Sequence, residues 1–215
     1  MDSCHGLTNL QSAVLNAFFA TEQRFVLTGG GALIGFHLHH RTSDDLDLFT
    51  RPPVDLEDGV RSLHRAAGSI GATVESTRTH PEFRRLLVRR GTESTIVDLV
   101  VDRAPEVDTP GSIHGIRIHS LREIGANKIC ALVGRAEIRD LVDLRAILAK
   151  GMVLENLLAD AERKDAGASP ATLAWLLDSL RIGPDARLPA GVTASELDEF
   201  RRSLVADLRR LALPG

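Results

Sequence analysis

Asp45 and Asp47 stand two residues apart, alternating with Leu46 and Leu48. In a strand, alternate side chains share a face, so both carboxylates point one way and both leucines the other. Two adjacent carboxylates repel unless a positive charge lies between them. A hard divalent cation bound by oxygens answers that need. Upstream, Gly29-Gly30-Gly31 ends the strand-like run Phe25-Val26-Leu27 and opens an amphipathic stretch, Ala32 to His40, predicted as a helix. Glycines at a helix start leave backbone N–H groups open to phosphate. A phosphate cradle and a carboxylate pair, one helix apart, point to chemistry on a nucleotide.

Further charges stand in or beside apolar company. Asp98 lies in Ile96-Val97-Asp98-Leu99-Val100. An unpaired charge in such a strand is costly. It is therefore either a third metal ligand or the ion-pair partner of an arginine, with Asp102, at the strand's end, the weaker choice of ligand. Lys128 falls on the helical stripe Leu121, Ile124, Lys128, Leu132. A lysine there snorkels to water or meets an anion such as a triphosphate. If it were unpaired, removing its charge would leave stability unchanged or raised. Asp143 follows fifteen residues later on the next helix, and Arg145 stands inside that helix's apolar face. A short link predicts antiparallel packing that brings Asp143 near Lys128, as a functional pair or as a buried structural one.

The first stretch resembles the signature of the DNA polymerase beta-like nucleotidyltransferases, a Gly-Gly or Gly-Ser turn, a spacer, then Asp-apolar-Asp/Glu-apolar. Here it reads Gly30-Gly31, thirteen residues, then Asp45-Leu46-Asp47-Leu48. Many relatives end the turn with Ser or Thr, whose hydroxyl helps hold phosphate. This chain has Gly31, so that contact comes from backbone or from elsewhere. Lys128 to Leu148, KICALVGRAEIRDLVDLRAIL, is similar to the second signature of the AbiEii/AbiGii-type toxin nucleotidyltransferases, which include the MenT toxins. The matching positions are Lys128, Arg135, Arg139-Asp140 and Asp143, and the resemblance covers about Arg24 to Leu148.

The resemblance implies a toxin of a bacterial toxin–antitoxin system. It would move a nucleoside monophosphate from an NTP to an acceptor, with two magnesium ions and release of pyrophosphate. Asp45 and Asp47 would bridge the ions. Asp98 would help hold the one at the attacking hydroxyl. Gly29, Gly30, Gly31, Ser43 and Lys128 would bind the nucleotide, although Ser43 also suits a turn or cap. Asp143 would orient Lys128 or touch the acceptor. The partners implied are a cognate antitoxin protein and, as for some family members, a tRNA 3′ end whose modification blocks translation.

Weaker signals have plainer readings beside them. Between Arg78 and Arg90 there are five arginines against one glutamate. Arg84, Arg85, Arg89 and Arg90 form either a solvated strand face or a surface tracking RNA phosphates. His37, His39 and His40 suit the end of a helix better than a zinc site. Gly29-x-Gly31-x-x-x-Gly35 after a strand imitates a dinucleotide-binding fingerprint, so an oxidoreductase domain is one rival. A nucleotidyltransferase acting on a small molecule or a protein hydroxyl is another, and a catalytically dead binding module a third. One Trp and no Tyr supply little base stacking.

With 215 residues and 43% hydrophobic content, the chain can bury one sizeable core or two small ones. A net charge of −3 argues against a globally basic nucleic-acid coat. Cys4 and Cys130, far apart and without metal-ligand company, suggest reduced thiols in a cytoplasmic protein. No apolar run approaches the ~20 residues of a membrane span, and the N-terminus lacks the pattern of a signal peptide.

The elements that must position these residues follow from periodicity. Thr8 caps a first helix, and Asp55 caps one carrying Val60 and Leu63. Ala72–Thr77, Glu82–Arg90 and Ser94–Val101 read as antiparallel strands, and Ile113–His119 as an edge hairpin. After a Ser120/Glu123 capping box, helices are predicted over Leu121–Val133, Ile138–Ala149, Val153–Arg163, Ala171–Leu180 and Ser195–Leu211. The expected fold is α/β (α+β), a mixed-sheet nucleotidyltransferase core over residues 1–119 with a C-terminal helical bundle over residues 120–215 that contributes Lys128 and Asp143.

Overall fold

A computed structural model describes residues 6–183, 186, 188–189 and 191–213. Cys4 lies outside the described residues. These residues form two compact units: the chain up to Arg103 with Asp108–Ser120, and Ala104–Val107 with the chain from Leu121 onward.

The first unit opens with α1 (Asn9–Phe19), where Thr8 and Gln11 form a reciprocal capping box. α1 buries Leu10, Val14, Leu15 and Phe18, and the Phe18 ring meets Phe25 edge-on at 5.6 Å. β1 (Val26–Thr28) leads straight into α2 (Gly29–Ala32), which runs on as a π-helical turn over Leu33–His37. The helix therefore starts at the glycines, three residues before the predicted Ala32. Gly29 has φ +61°, which turns the chain out of the strand at once and leaves Gly30 and Gly31 helical. β2 (Asp45–Thr50) follows, then α3 (Leu56–Ser69), capped by the Asp55 carboxylate accepting from Glu57 N–H.

β3 (Thr73–His80), β4 (Phe83–Arg90) and β5 (Glu93–Val101) come next, then β6 (Gly111–Ile113) and β7 (Ile116–Ile118). The sheet order is β3-β4-β5-β2-β1-β7-β6. β1 and β2 run antiparallel, which removes the βαβ unit on which the dinucleotide-binding rival depends. β2 and β5 run parallel, as do β1 and β7. The predicted edge hairpin forms, but β7 docks inward against β1 and only β6 is left at the edge.

Strand periodicity sorts the two sheet faces. Leu46, Leu48, Leu86, Val88, Val97 and Leu99 are completely buried on one face. α3 lies against it so closely that a Cβ on Gly59 would come within 3.1 Å of Leu99 and 2.4 Å of Phe25. The alternating residues on β2, β5 and β4, among them Asp47, Asp98 and Arg85, therefore occupy the opposite face.

In the second unit, α4 (Leu121–Arg135), α5 (Ile138–Ala149), α6 (Leu154–Lys164), α7 (Pro170–Ser179) and α8 (Ala194–Leu211) pack through Ile124, Leu132, Leu144, Leu157, Leu177 and Leu204. Gly125 lets α4 approach α6, since a Cβ there would sit 2.8 Å from Leu157. Buried charge is paired. Arg122 grips Asp160 with two hydrogen bonds, and the Glu123 carboxylate accepts from Lys164 and from the Val107 N–H. The Cys130 thiol donates to the Ala161 carbonyl at 3.6 Å. No helix among the described residues is long and apolar enough to cross a membrane.

Candidate active site

In the first unit, backbone register alone sets up a row of polar side chains. Thr28 on β1 pairs with Asp47 on β2, Asp47 with Asp98 on β5, and Asp98 with Arg85 on β4. Residues directly opposite in a sheet share a face. Thr28, Asp47, Asp98 and Arg85 thus line up across four strands, with Asp45 two residues along on the same side. The sequence reading placed the three aspartates on neighbouring strands; Thr28 and the direct opposition of Asp47 and Asp98 need the register. Thr28 is 2% exposed and its Oγ1 has no hydrogen-bond partner.

The glycine turn sits against this row. A Cβ on Gly29 would fall 2.0 Å from Asp47 Oδ2, so the carboxylate lies directly over that residue. A Cβ on Gly30 would meet Ser43 Oγ at 2.8 Å and Arg41 Nη2 at 2.9 Å. Ser43 donates to Asp45 Oδ1 at 3.1 Å, and Arg41 donates to the Thr42 carbonyl. The loop before β2 is tied down by Gln11, which is 1% exposed and donates to the Ser43 carbonyl at 2.9 Å. Sequence reasoning passed over Gln11, Thr28 and Arg41. A signal for Gln11 existed, because it is a polar residue inside the α1 stripe.

Asp98 is gripped by Arg85, whose Nε and Nη2 donate to Oδ1 and Oδ2 at 2.8 and 2.6 Å. The ion-pair reading of Asp98 therefore describes this state of the site. The hydrogen bonds Arg85 donates to Asp98 push its pKa above the ordinary value, burial opposes them, and the charges of Asp98, Asp45 and Asp47 add to the rise. One guanidinium thus sits in the field of all three carboxylates. Among the described residues no group of three His, Cys, Asp or Glu side chains converges on a common metal position. The donor set still suits a hard divalent ion: it is all carboxylate oxygen, it lies on one face, and it already draws a cation toward itself. Asp102 lies beyond the end of β5, four residues from Asp98 and roughly 13 Å along the strand, too far to join the same cluster.

In the second unit, Lys128 is 8% exposed and doubly paired, with Nζ 2.8 Å from Asp140 Oδ1 and 2.7 Å from Asp143 Oδ2. Arg135 forks onto Asp140 at 2.9 and 3.1 Å. Burial pulls the Lys128 pKa down, but Asp143 and Asp140 together outweigh it and the pKa is raised. The unpaired lysine considered from the stripe is thus corrected. Asp140, which the sequence marked only as part of the Arg139-Asp140 match, holds it as closely as Asp143 does. Asp140 and Asp143 are completely buried, so this network is a structural element of α4 and α5 whatever else it does.

The arginines of β4 divide by strand alternation. Arg84 pairs with Glu57, Arg85 with Asp98 and Arg90 with Glu93, while Arg89 is exposed. Histidines near the end of the π-turn bond backbone carbonyls: His37 Nε2 that of His119 at 2.9 Å, His39 Nδ1 that of Ile34 at 2.5 Å.

The chain matches the family described as "Nucleotidyl transferase AbiEii toxin, Type IV TA system" over residues 13–211. No curated protein matches it in sequence. Among solved structures it is similar to JHP933 from Helicobacter pylori, with 27% identity over 94% of this chain and 92% of that one and a TM-score of 0.55. It also shares the fold of MenT4, the nucleotidyltransferase toxin Rv2826c from Mycobacterium tuberculosis H37Rv, at 19% identity over 94% and 84% of the two chains and a TM-score of 0.64. A glycine turn closed over a carboxylate row, in a chain matched over nearly its whole length, places this protein in the AbiEii family of nucleotidyltransferase toxins of type IV toxin–antitoxin systems.

Proposed function

We propose that the chain transfers a nucleoside monophosphate from a nucleoside triphosphate to a tRNA 3′ end, releasing pyrophosphate in a magnesium-dependent reaction and so blocking translation. The observation that carries this reading is the Asp47–Asp98 register beside Gly29, with Asp45 on the same face. Asp45, Asp47 and Asp98 would hold two magnesium ions. Such ions lower the pKa of an attacking hydroxyl and offset charge on the leaving pyrophosphate.

The chain's own contribution is positioning. The Gly29–Gly31 backbone approaches bound phosphate closely because no side chain intervenes. Ser43, which now donates to Asp45, has the hydroxyl that Gly31 lacks and can turn it to a phosphate oxygen. Thr28 offers a second hydroxyl at the end of the row. Lys128 and Asp143 stay assigned to the nucleotide on the family resemblance, and Arg89 to the RNA backbone. A cognate antitoxin and a cytoplasmic setting belong to the same reading.

The test is incubation with magnesium, each labelled nucleoside triphosphate in turn, and total cellular RNA, with Asp47→Ala as the blank. Label in the tRNA band, absent with Asp47→Ala, is the expected result. Label on a small molecule or a protein instead would overturn the acceptor, and transfer undiminished in Asp47→Ala would overturn the site.

A further inference from the structure

We propose that Arg85 is a displaceable counter-charge for the carboxylate row, a positioning residue that a divalent cation must move off Asp98 before the three aspartates can converge. The inference rests on the metal reading above and adds a determinant of metal affinity to it.

The geometry is that of a stand-in for a cation. Asp98 is 5% exposed, and both its oxygens are taken by the fork of Arg85. The Arg85 side chain is itself 40% exposed, so the guanidinium has a route out that the aspartate lacks. It is tethered on β4 directly opposite Asp98, and it lies 5.7 Å from the centre of the Phe83 ring. An aromatic face within about 6 Å gives a guanidinium favourable contact without a carboxylate. The three carboxylates carry three negative charges and Arg85 returns one, so with Arg85 in place the row keeps a net charge that one divalent ion would match.

Two consequences separate this arrangement from an ordinary ion pair. Removing the guanidinium should tighten binding of a divalent cation, because Asp98 is then available at no cost. It should also loosen the metal-free protein, because Asp98 loses its two hydrogen bonds and all three carboxylates lose a nearby positive charge, and unlike the loss of an ordinary ion pair this should be made good by added metal.

The experiment is titration of the full chain with Mn2+ alone, read by the loss of the free-ion electron paramagnetic resonance signal, for wild type and Arg85→Gln. Arg85→Gln should bind at least tenfold tighter, and its melting temperature should be lower than that of wild type without metal and restored by it. In wild type, the Arg85 Nε–H resonance, assigned by its absence from Arg85→Gln or Arg85→Lys, should move as Mg2+ is added. Equal or weaker Mn2+ binding by Arg85→Gln overturns the role of Arg85 and leaves the metal reading standing. Absence of binding to either protein overturns the metal reading and this inference with it. If Arg85→Gln does not fold, the wild-type titration decides: an Arg85 signal that stays fixed while the metal binds overturns the proposal.

Discussion

Gly29 is the residue on which the site's geometry depends most directly. Its φ of +61° is a conformation that a side chain resists, and a Cβ there would collide with the Asp47 carboxylate. Gly29→Ala carries a backbone penalty of roughly 1–2 kcal/mol and must also push Asp47 away. We expect nucleotide transfer to fall at least a hundredfold while the protein stays folded, read as transfer rate beside circular dichroism. Lys128 belongs to the same scale with the opposite emphasis. Its ammonium is shared by two completely buried carboxylates, and although Arg135 also holds Asp140, Lys128→Met takes a cationic partner from each. Breaking a buried pair from one side costs about 3–5 kcal/mol, and urea unfolding should show a loss of that order. A Lys128→Met protein as stable as wild type would mean that the carboxylates have found another cation.

At the scale of elements, the turn from β1 into α2 and the π-turn does the positioning, and its far end carries a pH dependence. Burial lowers the His37 pKa, the hydrogen bond to the His119 carbonyl opposes this, and the nearby His39 charge lowers it further. The folded pKa is therefore below the ordinary value of 6.5. Between the two values the unfolded chain takes up a proton that the folded chain resists, so stability is full above pH 6.5 and is lost as pH falls below it. Urea midpoints measured from pH 7.5 to 5 should decline, and His37→Gln should decline less. Equal slopes in both proteins would show that His37 titrates alike in the folded and unfolded chains.

At the scale of the whole molecule, a ligand that binds only the folded state raises its stability, by about 2.7 kcal/mol at a concentration one hundred times Kd. Magnesium should raise the melting temperature of wild type by several degrees and leave Asp47→Ala unmoved. An equal rise in both would place the ion elsewhere. The chain's periodicities identify most of its elements, because hydrophobic alternation and helical stripes are local properties: α5 runs over Ile138–Ala149 as predicted, and β5 differs from its prediction by one residue. The pair Asp45 and Asp47 on one face of a strand was equally legible, and so was the glycine turn. What the sequence could not settle is who stands opposite whom. Asp98 had two readings, metal ligand or arginine partner, and only the β4–β5 register puts Arg85 across from it. Lys128 was visible as a misplaced charge, but its second partner, Asp140, depends on how α4 and α5 meet. Thr28 gave little local sign of a role and Gln11 only its polar place in the α1 stripe, because their importance comes from residues 19 and 32 positions away, Asp47 and Ser43. Strand and helix identity is stored in a few neighbouring residues, whereas charge pairing across a sheet or between helices is set by long-range packing that brings distant segments into register.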